Sequence, residues 1–126
     1  MTEPGRDGRG PLDDEPEGSV TLEQVPEGVV LAVAGALDLS LASTLRRTVE
    51  RAARLRPSVL VIDLTAVTFL ASVGMAELVR AHRQSGEDTA VRVVATGRLV
   101  LRPLQVTRLT DELALHDTLA DALAAR

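Results

Sequence analysis

A chain of 126 residues is one domain's worth, enough to bury a single two-layer core. It has no cysteine, which excludes disulfides, thiolate nucleophiles and thiolate metal sites together, and Phe69 is its one aromatic residue, so a stacking platform for single-stranded nucleic acid is excluded too. The net charge of −4 sits entirely in residues 1–18, where Glu3, Asp7, Asp13, Asp14, Glu15 and Glu17 face Arg6 and Arg9; the neutral remainder carries no basic stripe beyond one helix face, which argues against a nucleic-acid partner.

Residues 1–18 are Gly, Pro, Asp, Glu and Arg with almost nothing apolar, so they cannot offset their ordering entropy. A flexible acidic tail is expected, with an acidic docking arm as the functional alternative. This polar start is unlike a secretory signal, and no apolar run approaches the roughly 20 residues of a membrane span. A cytoplasmic protein without a membrane partner is the expectation.

Order is expected from Ser19 onward. Val20 to Val25 alternates with a period of two, Pro26-Glu27-Gly28 supplies a turn, and Val29 to Ala34 completes an antiparallel hairpin. Gly35-Ala36-Leu37-Asp38 ends that strand. Asp38 or Ser40 can cap the next helix, whose Leu41, Leu45, Val49 and Ala52 share one side while Arg46, Arg47, Glu50, Arg51 and Arg54 take the other. That arginine cluster reads as a solvated face or as a meeting point for an acidic partner.

After Pro57, the apolar run Val59 to Leu64 has no helical period and reads as a buried strand. A short loop then leads to Phe69, and Met75, Leu78, Val79 and His82 share one face of a second helix. Leu64, Phe69 and Leu78 are assigned to the core. Ser72 falls at the strand-to-helix junction, where backbone N–H groups lack partners and carry the positive end of the helix dipole. A hydroxyl there can cap the helix, and a phosphate added to it would be accommodated.

Gly86-Glu87-Asp88 breaks this helix, and Val91 to Ala95 makes a fourth strand. A third helix should follow Gly97, with Pro103 in its first turn or at a kink. Leu113-Ala114-Leu115 reads as a short edge strand, and Thr118 to Ala125 as a closing helix capped by Asp117. The order β-β-α-β-α-β-α-β-α describes a mixed sheet with helices mainly on one side and right-handed crossovers.

Catalytic signatures are thin. His82 and His116 stand outside metal-ligand spacing and read as a partly buried helix histidine and a surface hydrogen-bonding one. Ser72-Val73-Gly74 lacks the upstream glycine of a nucleophile elbow, and a chain without lysine has no phosphate-binding Gly-Lys-Ser/Thr loop. The acids show no calcium-loop spacing. Neither an enzyme nor a bound cofactor or metal is expected; a hydrolase built on Ser72 would need His82 within hydrogen-bond reach.

Three segments point further: Gly35-Ala36-Leu37-Asp38, then Val59 through Phe69-Leu70-Ala71-Ser72-Val73-Gly74-Met75, then Val100 through Thr107-Arg108-Leu109. In this order and spacing, residues 19 to about 123 resemble the STAS domain of bacterial anti-sigma factor antagonists. That family shows Gly-Glu-Leu-Asp at the first segment, Phe-hydrophobic-Asp-Ser-Ser-Gly-Leu at the second and Leu-Glu-Leu-Thr-Gly-Leu at the third. The resemblance implies an α/β fold, a single STAS-like domain over residues 19–126 with a mixed sheet. It makes Ser72 the phosphoacceptor and places Asp38, Ser40, Met75 and Ala76 on the partner-binding surface. The implied partner is an anti-sigma factor of the serine kinase type, which itself supplies ATP and Mg²⁺. Ala71, Val73 and Arg108 depart from the family pattern, replacing an aspartate, a serine and a glycine. The alternative is a non-phosphorylated STAS interaction or ligand-sensing module.

Overall fold

The computed structural model describes residues 18–125. The elements are β1 (Gly18–Val25), β2 (Gly28–Leu37), α1 (Leu39–Arg54), β3 (Val59–Leu70), α2 (Ser72–Gln84), β4 (Ala90–Val94), α3 (Arg98–Val106), a 3-10 turn (Leu109–Asp111), β5 (Leu115–His116) and α4 (Leu119–Ala124). The strands lie in sequence order in one sheet; β1 runs antiparallel to β2 and every other pair is parallel. This is the mixed sheet the residue pattern implies. Gly18, assigned to the acidic tail, opens β1, and the rest of that tail lies outside the described residues.

Apolar alternation sorts the two faces. Leu31, Leu37, Ile62, Leu64 and Val93 meet Leu45 of α1, Leu78 of α2 and Leu104 of α3 in the main core. Val30, Val61 and Val94 point the other way and pack with Ala122 of α4. Three helices therefore cover one face, and the short α4 covers part of the other.

The expected loop before Phe69 is absent, because β3 continues unbroken for 12 residues. Its pairing with β2 slips twice, between Ala32 and Ala34 and between Gly35 and Ala36. Each slip places one extra β3 residue in the ladder, so the inward side shifts from Leu64 to Val67 and then to Leu70. The two slips cancel, and Phe69, next to inward Leu70, faces outward and is 56% exposed, contrary to its assignment to the core.

Three smaller differences concern the C-terminal third. Pro103 is the sixth of nine residues in α3, well past the first turn. The carbonyl deprived of its donor there is that of Leu99, a largely exposed residue. The edge strand forms at Leu115–His116 rather than Leu113–Leu115, pairing with Val93 and Val94. Thr118, not Asp117, caps α4, its hydroxyl accepting from the Asp121 N–H at 3.0 Å.

Leu78→Ala should cost about 2–5 kcal/mol, whereas Phe69→Ala should cost well under the ~3–5 kcal/mol of an enclosed ring. Urea denaturation of both variants checks this. Equal losses would contradict the outward turn of Phe69.

Candidate docking surface at the strand ends

The parallel strands β2 and β3 end side by side, with Leu37 paired to Leu70. Each then hands over to a helix at the same edge of the sheet. The Ala71 N–H donates to the Leu37 carbonyl at 3.1 Å, tying the entry of α2 to the end of β2. Gly74 makes the approach possible. A Cβ on it would lie 2.6 Å from Leu37 Cγ and 3.0 Å from the Leu37 carbonyl oxygen.

At the start of α1 the capping residue is Asp38. Its side chain accepts from the Leu41 N–H at 3.1 Å, and its carbonyl accepts from the Ala42 N–H at 2.8 Å. Ser40 is the second residue of the helix, exposed, and its carbonyl accepts from the Thr44 hydroxyl at 3.4 Å. Between them Leu39 is 73% exposed, off the Leu41/Leu45 stripe.

At the start of α2 the residue in the capping position is Ala71, not Ser72. Ala71 has extended backbone angles, and its carbonyl accepts from the Gly74 and Met75 N–H groups at 3.0 and 3.1 Å. No side chain caps this helix. Ser72 is the first helical residue and is exposed, so its hydroxyl stands at the positive end of α2 without the capping role assigned to it.

The structure brings the remaining candidates to this edge and reveals apolar neighbours. Ser72, Met75, Ala76 and Val79 line one side of an open groove of about 560 Å³, with Thr107 and Leu109 opposite. Met75 is half-buried there, and the Thr107 hydroxyl lies 3.7 Å from its sulfur. On the other flank of α2, Leu39, Ala42, Val73 and Ala76 line a second hollow, where Arg46 pairs with Glu77 at 3.3 Å. Leu39, Val73 and Phe69 are thus exposed apolar residues near the strand ends that sequence reasoning leaves out. The available signal is Leu39 itself, a bulky apolar residue outside the buried stripe.

At the far end of the first groove Arg83 grips Glu112 with two hydrogen bonds of 2.7 and 3.0 Å. The hydrogen bond from Arg83 holds the Glu112 carboxyl below the ordinary carboxylate range and raises the guanidinium. An acid whose pKa is lowered on folding stabilises at neutral pH, and that support fades as pH falls through its lowered value.

Other chemistry is not assembled. His82 lies ten residues beyond Ser72 on the same helix, roughly 15 Å along the axis, so it cannot serve Ser72 as a base. Among the described residues no three or more His, Asp or Glu gather as a metal site, and no helix is long and apolar enough to cross a membrane.

The STAS domain family matches residues 19–122. Over 94 residues, 75% of this chain and 77% of the relative, the sequence is 37% identical to the anti-sigma-F factor antagonist RsfB of Mycobacterium tuberculosis. The chain belongs to the STAS-domain anti-sigma factor antagonist family. The crystal structure of an anti-sigma factor antagonist from Mycobacterium paratuberculosis is 35% identical and superposes with a TM-score of 0.82, covering 86% of this chain and 92% of that one. Bacillus SpoIIAA in its phosphorylated form shares the fold at 17% identity and a TM-score of 0.62, covering 83% and 96%.

The local geometry sets three stabilities apart. Gly74→Ala should cost about 1–3 kcal/mol through overpacking against Leu37, while Asp38→Ala should cost about 1 kcal/mol of capping. Ser72→Ala should stay within about 0.5 kcal/mol of wild type, because its hydroxyl caps nothing. Chemical denaturation of the three variants decides; a loss at Ser72 as large as at Asp38 would contradict the placement of the cap at Ala71.

Proposed function

We propose that this STAS domain is an anti-sigma factor antagonist that binds an anti-sigma factor of the serine kinase type and is switched off by phosphorylation of Ser72. The observation that carries the reading is the exposed Ser72 hydroxyl at an uncapped helix start, with exposed Val73 and Leu39 beside it. The names borne by the two mycobacterial relatives support its antagonist part.

The unmodified surface offers the partner an apolar contact, Leu39, Val73 and Ala76 with Met75, framed by Asp38 and Ser40. Such a contact gains from desolvation only while it stays free of charge. In the complex the partner holds ATP and Mg²⁺. The Ser72 oxygen attacks the γ-phosphorus, the bond to ADP breaks, and the serine proton passes to a base of the kinase. This chain contributes position and no catalytic group. The product carries nearly two negative charges and bulky oxygens at the centre of the contact. Its charge is welcome at the positive end of α2 but not against an apolar partner face. Ala71 leaves no neighbouring carboxylate to repel the incoming phosphate. A partner of this kind, and its ATP, place the protein at work in the bacterial cytoplasm.

Incubation with the cognate kinase, ATP and Mg²⁺, followed by phosphopeptide mapping, is expected to show label on Ser72. Ser72→Ala should lose the label and keep binding; Leu39→Glu should weaken binding at least tenfold with an unchanged melting temperature. Label on Ser40, Ser43 or Thr68 would move the acceptor. No label from an active kinase would leave a non-switching STAS interaction module, the reading that Ala71 and Val73 favour.

A further inference from the structure

We infer that the arginine stripe on α1 is the docking face for the chain's own acidic segment, residues 13–17, which folds back from Gly18 along the helix. The inference is independent of the role given to Ser72.

Helical spacing builds the stripe. Arg47, Arg51 and Arg54 follow one another at i, i+4 and i+7, and Ser40 and Thr44 continue the same face toward the helix start. All three arginines are exposed. The flank turned to α2 is a different one, where Arg46, Val49, Glu50 and Ala53 line a cleft with Glu77 and Arg80.

The charges of the stripe are unanswered within the domain. Among the described residues Arg46 and Arg80 pair with Glu77, Arg83 with Glu112 and Arg108 with Asp111, while Arg47, Arg51 and Arg54 form no ion pair. Arg47 instead forks over the Ser43 and Thr44 hydroxyls at 3.1 and 3.3 Å. Arg51 and Arg54 stand in the last turn, where a cation suits the negative end of the helix. Arg47 stands mid-helix and gains nothing from that end.

The occupant follows from charge and from where the chain leaves the domain. Asp13, Asp14, Glu15 and Glu17 put four acids into the five residues directly before Gly18, with no basic residue among them. Gly18 itself packs on the first turn of α1, since a Cβ there would lie 3.0 Å from Leu41 Cδ2. Its φ of +140° is an angle that residues with side chains rarely adopt, and it lets the chain reverse where β1 begins.

Reach agrees. Arg47 and Arg51 lie roughly 9 and 15 Å along the helix from Leu41. Asp13, five residues before Gly18, can stand up to about 17 Å from it. Single exposed ion pairs are weak, but here several acids face several arginines and the tether keeps them at high local concentration. The docked arm neutralises this flank of α1 and closes it to other acidic partners.

The test uses the full chain, whose lack of cysteine lets a nitroxide be placed uniquely at Leu12→Cys. Broadening of ¹⁵N-labelled backbone amides then maps where the arm lies. In about 0.02 M salt the amides from Thr44 to Arg54 should lose roughly half their intensity or more, and in 1 M salt, where screening acts over ~3 Å, they should recover. The same recovery should follow Arg47→Gln with Arg51→Gln and Arg54→Gln. It should also follow Asp13→Asn with Asp14→Asn, Glu15→Gln and Glu17→Gln, a set that changes no residue of the sheet or helices. No broadening of α1 in low salt, broadening indifferent to both sets, or broadening centred on Leu39, Val73 and Met75 would overturn the inference. Broadening that persists with nitroxide and ¹⁵N on different molecules would overturn it too, assigning the stripe to a second copy's arm.

Discussion

The closeness of α2 to the end of β2 is the constraint on which the rest of the structure depends. Leu37 is the last residue of its strand, fully buried, and receives both the Ala71 N–H and the bare Cα of Gly74. Because no Cβ stands between them, two helix starts fit side by side at one sheet edge. That packing exposes the first turn of each helix together. It also sets Ser72 among apolar neighbours at a positively polarised site, a combination that a single helix start would lack.

Under the proposed switch, the two states of this surface would have opposite character. Unmodified, it presents Leu39, Val73 and Ala76 with a neutral hydroxyl. Modified, it presents a doubly charged group that α2 tolerates and a desolvated partner face would not. About 3 kcal/mol of such differential binding amounts to more than a hundredfold in affinity. The same small domain needs no hinge for this. Its core is shared by α1, α2 and α3 on one sheet face, so the edge is a rigid platform and the change is local charge.

Much of this is legible in the chain. Period-two alternation marks β1, the apolar run marks β3, and Asp38 before a Leu41/Leu45 stripe marks the start of α1. The strand–helix junction at Ser72 is readable to within one residue. The cap is not, because capping follows the carbonyl that accepts the first helical bonds, and that carbonyl belongs to Ala71. Residue type alone favours the serine. Phe69 escapes a sequence reading for a different reason. Alternation continued from Leu64 already turns Phe69 outward, but it holds only because β3 runs on without the expected loop, and that continuation depends on pairing with β2, which local periodicity does not contain.

The central claim is that charge on Ser72 separates the two binding states of one otherwise unchanged surface. The most direct measurement is calorimetric titration of the cognate anti-sigma factor with unmodified protein and with protein carrying phosphoserine at position 72. The account predicts at least a hundredfold weaker binding of the phosphorylated form with the same fold by circular dichroism. Equal affinity of the two forms would contradict it.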